Sequence, residues 1–140
     1  MKPNAILETC LYVDDLEAAE TFYRDVLGLE FLCRQEGRHA FFRCGQHMLL
    51  LFNPETTDHP DSVTPPHGAH GASHLAFAVS DDQIDAWQSH LEAHGVSVEK
   101  VIRWPQGGMS VYFRDPAGNS LEVATPRIWA QVLQQSSRGT

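Results

Sequence analysis

Three side chains of metal-binding type stand at matching points of an internal repeat. The segment Glu8–Asp15 aligns with His74–Asp81, and later matches set Glu122 opposite Leu50. A duplicated fold has pseudo-twofold symmetry, so equivalent positions converge on one axis. Carboxylates and imidazoles bind divalent metals, whereas leucine does not. The repeat therefore predicts a metal centre of Glu8, His74 and Glu122, whose three protein ligands leave coordination positions open for water or substrate.

The charge of this ligand set indicates which metals it would hold. Two carboxylates and a neutral imidazole carry a charge of about −2 and neutralise a divalent cation. Such an oxygen-rich set favours the harder ions Mn²⁺ and Mg²⁺, with Zn²⁺, Ni²⁺ and Fe²⁺ as alternatives. The predicted cofactor is therefore a divalent metal ion of undetermined identity.

The elements that position these residues follow the same order in both halves of the chain. In the first half, a β-rich segment precedes a helix with an amphipathic stripe, which Asp14 or Asp15 caps and Gly28 ends. In the second half, Ser80 is predicted to cap the helix and Gly95 to end it. The predicted strands cover residues 5–13, 29–35, 38–44, 47–53, 73–79, 96–103, 109–114 and 119–124.

We interpret the chain as one domain over residues 1–140. Module 1 covers about 5–54, a linker about 55–71, module 2 about 72–126 and a C-terminal helix about 127–135. The linker is rich in proline and glycine, so no regular element is expected there. Its histidines His67 and His70 are interpreted as loop residues that cover a cavity.

Strand alternation predicts one apolar and one mixed face for each sheet. In the first strand Glu8, Cys10 and Tyr12 share a face, and in the second module His74 lies on the face opposite Leu75. The apolar faces should pack on the helices. The mixed faces should line a concave cavity, where a bound cation would offset the cost of burying a carboxylate.

Composition excludes several classes of function. A net charge of −8 argues against a surface for nucleic acid or anionic lipid, because such surfaces are basic. The absence of a long apolar run and of a signal-peptide segment predicts a cytoplasmic protein that contacts no membrane. The three cysteines form no CxxC pair and are read as reduced thiols.

Three segments carry a resemblance to the vicinal oxygen chelate superfamily, which includes glyoxalase I, fosfomycin-resistance enzymes, extradiol dioxygenases and bleomycin-resistance proteins. They are Leu11–Glu17 with Phe22–Leu29, Gly71–Phe77, and Tyr112–Glu122. The resemblance covers about residues 5–129. It implies an α+β fold in which two tandem βαβββ modules form a U-shaped sheet cup, followed by a short C-terminal helix. It also implies a homodimer that acts on a small-molecule substrate.

The resemblance also implies roles for individual residues. Glu8, His74 and Glu122 match the metal ligands, and Glu122 or Glu8 would shuttle a proton, as a ligand Glu does in glyoxalase I. Tyr112 would orient a substrate oxyanion. Four further residues are candidates for substrate binding: Arg103, Ser110, Cys10 and Trp104. Arg103 is the first candidate for an anion, with Arg127 second.

The resemblance leaves the reaction open. A metal-dependent glyoxalase or lyase is the first hypothesis. An extradiol-type dioxygenase is disfavoured, because segment 103–108 lacks the His of that branch and Glu8 replaces another. A fosfomycin-resistance-type transferase conflicts with Cys10, which stands where that branch has Thr. A non-catalytic, bleomycin-resistance-like drug binder suits the acidic charge but would not need the metal set. The segment Asp115–Gly118 is interpreted as a structural turn between strands.

Overall fold

A computed structural model of the chain describes residues 1–62 and 64–136. The order strand, helix, strand, strand, strand occurs twice in this part of the chain, which confirms the two predicted βαβββ modules. The strands are β1 (Glu8–Tyr12), β2 (Glu30–Gln35), β3 (His39–Cys44), β4 (His47–Phe52), β5 (His74–Ala78), β6 (Lys100–Arg103), β7 (Met109–Arg114) and β8 (Ser120–Ala124). The helices are α1 (Leu16–Thr21), α2 (Pro54–Thr57), α3 (Ile84–Ala93) and α4 (Ala130–Ser136), the last preceded by a 3₁₀ turn at Pro126–Trp129.

Each module forms a four-stranded mixed sheet with the same topology. The order is β1-β4-β3-β2 in the first sheet and β5-β8-β7-β6 in the second. In both sheets the first strand runs parallel to the last, and the other pairs are antiparallel. Cys10 pairs with Leu50 as Ala76 pairs with Glu122, so the register confirms that Leu50 and Glu122 are equivalent positions.

Contacts divide the chain into two compact units. The first unit comprises Met1–Ser73 together with the turn Asp115–Asn119, and the second comprises His74–Arg114 with the chain from Ser120 onward. Among the described residues, no helix has the length and apolar character needed to cross a membrane.

Helix α1 buries the apolar stripe expected from its spacing. The Asp15 side chain accepts a hydrogen bond from the Ala18 N–H at 2.9 Å and so caps the helix. A π-helical turn over Phe22–Val26 continues α1, and Gly28 follows it with a φ of +67°. Tyr23 of this turn is fully buried in the core of the first unit.

The core of the second unit lies between α3 and the apolar face of its sheet. Six side chains with exposures of 4% or less form it: Ile84, Leu91, Val111, Phe113, Leu121 and Val123. Because strand residues alternate, their neighbours Ser110, Tyr112 and Glu122 lie on the opposite, mixed face, as the alternation predicts.

Two local predictions are wrong. The linker contains helix α2, because Asn53 accepts the Glu55 N–H at 3.0 Å and Pro54 occupies the first helical position. Ser80 does not cap the second-module helix. Its carbonyl instead accepts hydrogen bonds from Gln83 and Ile84, which closes a turn before α3 begins at Ile84.

The turn at Asp115 has the structural role expected for it. The buried Asp115 carboxylate accepts the Tyr23 hydroxyl at 2.8 Å, the Asn119 side-chain amide at 2.9 Å and the backbone N–H groups of Ala117 and Asn119. Burial, and then the Asp115 charge, raise the pKa of Tyr23, so its hydroxyl stays protonated as the donor. Asn119 also donates to the Tyr12 carbonyl at 3.2 Å. All of these residues belong to the first unit.

Candidate metal centre

His74 and Glu122 lie side by side on the mixed face of the second sheet. They come from the neighbouring parallel strands β5 and β8, where His74 pairs with Ser120 and Ala76 with Glu122. The His74 Nε2 and Glu122 Oε2 atoms are 3.3 Å apart. Glu122 is almost fully buried, whereas the His74 side chain is 53% exposed, so solvent reaches the pair from the His74 side.

The hydrogen bond that His74 Nδ1 makes turns its Nε2 toward the Glu122 carboxylate. His74 Nδ1 lies 3.0 Å from the Ser120 carbonyl, which can only accept, so Nδ1 carries a proton and a neutral ring presents a lone pair at Nε2. The facing Glu122 Oε2 is also an acceptor. Two acceptors at this distance need a proton or a cation between them.

A divalent metal ion fits this arrangement. Two ligands that each lie about 2.0–2.1 Å from one ion, at a roughly tetrahedral angle, are ~3.3–3.4 Å apart. Glu122 Oε1 is buried and has no hydrogen-bond partner, which is costly for a carboxylate oxygen unless a further group satisfies it. The Ser120 carbonyl, which orients the imidazole from behind, is the type of outer partner that metal-bound histidines have.

Tyr112, Ser110 and Trp104 extend this site along the second sheet. Tyr112 pairs with Glu122 in the β7–β8 ladder, and its ring stacks near that of His74 with centroids 6.3 Å apart. Burial raises the pKa of the Tyr112 phenol; the neighbouring Ser110 hydroxyl opposes this rise, and the Glu122 charge and a side-chain hydrogen bond to Glu122 add to it. The Trp104 Nε1–H donates to Ser110 Oγ at 2.8 Å, which fixes the buried Ser110 side chain. The structure thus places Glu122, Tyr112 and Ser110 on the same face of the second sheet as His74, with Trp104 bonded to Ser110.

Glu8 and Cys10 lie in the first unit, on the equivalent face of the other sheet. Glu8 opens β1 as His74 opens β5, and both Glu8 and Cys10 line a cavity of about 660 Å³. Burial, and then the Glu8 charge, raise the pKa of the Cys10 thiol, so it is poorly suited to act as a thiolate. Among the described residues of either unit, no three His, Cys, Asp or Glu side chains form a metal-binding group. That Glu8 completes the centre therefore stays a prediction.

Arg103 points away from the mixed face. It pairs with Met109 in the β6–β7 ladder and so shares the helix-facing side of the sheet. Its guanidinium forms an ion pair of 3.0 Å with Asp85 on α3. The second candidate, Arg127, pairs with Asp81 at 3.3 Å. The structure does not bring Arg103 to the His74–Glu122 pair.

The sequence did not lead us to predict that aromatic side chains line the cavity of the first unit. Its wall includes Arg38, His39, Phe41 and Phe52, and His67 of the linker also lines it. His70 is not among the lining residues and lies 3.9 Å from Glu55. Their alternation along β3 and β4 was available as a signal, because alternate strand residues share a face. Burial, and then the Arg38 charge, lower the pKa of His39.

Comparisons with known proteins agree with the two-module fold. The family model of the Glyoxalase/Bleomycin resistance protein/Dioxygenase superfamily matches residues 5–123. A lactoylglutathione lyase from Agrobacterium tumefaciens superposes with a TM-score of 0.88 and 48% identity, covering 92% of this chain and 98% of that one.

Two curated relatives are transferases. The glutathione transferase FosA of Serratia marcescens is 31% identical over 81% of this chain and 74% of its own length. The metallothiol transferase FosB of Staphylococcus epidermidis is 25% identical over 89% of this chain and 84% of its own length. Members of this family generally use a divalent metal ion and act on small molecules. With two βαβββ modules and a family match over most of its length, the chain belongs to the Glyoxalase/Bleomycin resistance protein/Dioxygenase superfamily.

Proposed function

We propose that the protein is a metal-dependent enzyme of the glyoxalase or lyase type, acting on a small substrate that chelates the metal through oxygen. The observation that carries the proposal is the facing pair of acceptors, His74 Nε2 and Glu122 Oε2, beside the unsatisfied Glu122 Oε1. The similarity to a lactoylglutathione lyase at 48% identity supports the reaction class.

In this proposal Glu8, His74 and Glu122 hold the ion, with Glu8 supplied by the same chain or by the second copy of a homodimer. The ion is Mn²⁺, Mg²⁺, Zn²⁺, Ni²⁺ or Fe²⁺. When bound, it polarises substrate oxygen atoms and offsets negative charge that develops on them.

Three side chains of the protein then have separate roles in the reaction. Glu122, with Glu8 as the alternative, takes a proton from the hydroxyl-bearing carbon beside a carbonyl group and returns it to the former carbonyl carbon. The hydroxyl hydrogen passes to the former carbonyl oxygen, so the reaction is a balanced isomerisation. Tyr112 keeps its proton and donates a hydrogen bond to the substrate oxygen that gains negative charge. The hydrogen bond from Trp104 holds Ser110 in place, and Ser110 gives the substrate a further polar contact.

An activity assay tests the proposal. Protein purified without a metal-affinity tag is loaded with each of the five ions and given the hemithioacetal of glutathione and methylglyoxal, and thioester formation is followed by ultraviolet absorbance. We expect turnover with at least one ion, and a loss of about 10²-fold or more in Glu122→Gln, as for removal of a general base. Glu17→Gln, at an exposed position of α1, is the matched control and should keep full activity. No turnover with any ion, or full activity in Glu122→Gln, would contradict the proposal.

Thiol transfer is the second candidate, because the matches to FosA and FosB cover most of the chain. A thiol would open an epoxide and form a carbon–sulfur bond, and the epoxide oxygen would take up the proton. The same metal-loaded protein is incubated with fosfomycin and glutathione, and the adduct is sought by mass spectrometry. Adduct formation without thioester formation in the first assay would favour this candidate.

A further inference from the structure

The cavity of the first unit has a wall of aromatic rings. Its volume of about 660 Å³ falls within the range of small-molecule sites. His39 stacks on Phe41 with ring centroids 4.0 Å apart and planes inclined by 12°. The Phe52 ring packs edge to face against His39, Phe41 and His67, with ring centroids 4.8–5.8 Å apart. A flat apolar group would find ring faces and ring edges here, the two surfaces that aromatic groups pack against.

Arg38 brings a positive charge without a carboxylate partner to this cavity. Among the arginines that the structure describes, six form ion pairs with Asp or Glu, and Arg38 forms none: the six are Arg24, Arg34, Arg43, Arg103, Arg114 and Arg127. The Arg38 guanidinium donates to the Thr56 carbonyl at 3.1 Å and to Ser62 Oγ at 3.4 Å. Both acceptors are neutral, and a guanidinium has five N–H groups, so its charge and three donors remain available.

His39 adds an unsatisfied polar atom. Its Nδ1 is buried and makes no hydrogen bond, although a buried polar atom normally has a partner. It lies on a ring of the cavity wall, next in sequence to Arg38. Because this atom is closed to solvent even with the cavity empty, the ring of His39, and not its Nδ1, is what a ligand would contact.

We propose that this cavity binds an arylalkyl monocarboxylate, with its ring against Phe41 and Phe52 and its carboxylate on Arg38. A carboxylate suits this site better than a phosphate because one guanidinium balances one negative charge, and Glu8 in the same cavity would repel a second. The proposal rests on the proposed function only for the claim that the ligand is the substrate. Binding itself requires neither metal nor turnover.

Calorimetric titration of the purified full-length chain tests the proposal. The probes are benzoate, phenylacetate and 3-phenylpropionate, each compared with its uncharged amide. We expect at least one acid to bind more tightly than its amide, and Arg38→Gln to weaken that acid about tenfold or more while leaving the amide unchanged. Phe41→Leu should weaken acid and amide alike, because it removes the ring and keeps an apolar side chain.

Arg43→Gln is the matched control. Arg43 lies on β3, the strand that follows Arg38, but is paired with Glu30 at 2.6 Å, so its loss should not change binding. The titration contains no added metal and follows no turnover, so it separates failure of this site from failure of the proposed enzyme. The proposal is overturned if no acid binds at millimolar concentration, if acids bind no better than amides, or if Arg38→Gln binds as the wild type does.

Discussion

Replacing Tyr23 by Phe removes one hydroxyl from the buried hydrogen-bond network of the first unit and leaves the ring in place. The lost bond, 2.8 Å from the Tyr23 hydroxyl to Asp115 Oδ2, is fully buried and ends on a carboxylate. Bonds to charged groups contribute about 1.5–3 kcal/mol, because the charge is left with one donor fewer when they are removed. Three donors to Asp115 remain, so we expect the protein to fold, with its free energy of unfolding lowered by about 2 kcal/mol.

Urea unfolding of the Tyr23→Phe variant, followed by circular dichroism, measures this change. For a chain of this length the same loss corresponds to a fall in Tm of roughly 5–10 °C. Tyr12→Phe is the matched control, since its hydroxyl bonds to the His67 imidazole at 2.8 Å, its single side-chain partner among the described residues, and is partly exposed. That variant should lose about 1 kcal/mol or less. If Tyr23→Phe costs less than about 0.5 kcal/mol, or no more than Tyr12→Phe, the inferred importance of the Asp115 carboxylate is wrong.

Two further predictions concern stability. The pKa of His39 is lowered from its ordinary 6.5, so below pH 6.5 the unfolded chain binds more protons than the folded one. Stability should therefore fall as pH falls from 7 to 5. In urea titrations of chelator-treated protein, His39→Asn should show a shallower fall with pH than the wild type, and an equal slope would contradict this. Gly108→Ala should unfold at a lower urea concentration than Gly118→Ala: both positions have a φ of +84° to +90°, but only at Gly108 would the new Cβ lie 2.6 Å from Ile128. Equal urea midpoints would show that the turn at residues 107–108 accommodates the new methyl group without loss of stability.

The modules could be predicted from the sequence because their signals are local and occur twice. Strand alternation, the Asp15 cap and Gly28 each act within a few residues, and the repeat supplied the pairing of the halves. The helix boundaries were less certain. Ser80 is followed by two aspartates, and competing polar groups leave the start of α3 undetermined until its packing is known.

The candidate site was only partly accessible to the same reasoning. Residue type and register were enough to place His74 beside Glu122, because parallel neighbouring strands fix that pair. The choice of Arg103 as the anion binder depended on which arginines lack a carboxylate neighbour. That is a tertiary property: Asp85 reaches Arg103 from α3, whereas Arg38 has no such partner within residues 1–62 and 64–136.

The central claim is that Glu8, His74 and Glu122 hold one divalent ion, and a metal titration tests it most directly. Competition with a chromophoric chelator gives the affinity and stoichiometry for the wild type, Glu122→Gln and Glu8→Gln, with Glu17→Gln as control. We predict one ion per chain in the wild type and the control. Each variant that loses a ligand should bind at least about tenfold more weakly. Equal affinity in the wild type and Glu122→Gln would contradict the metal centre, and equal affinity in Glu8→Gln alone would remove Glu8 from it.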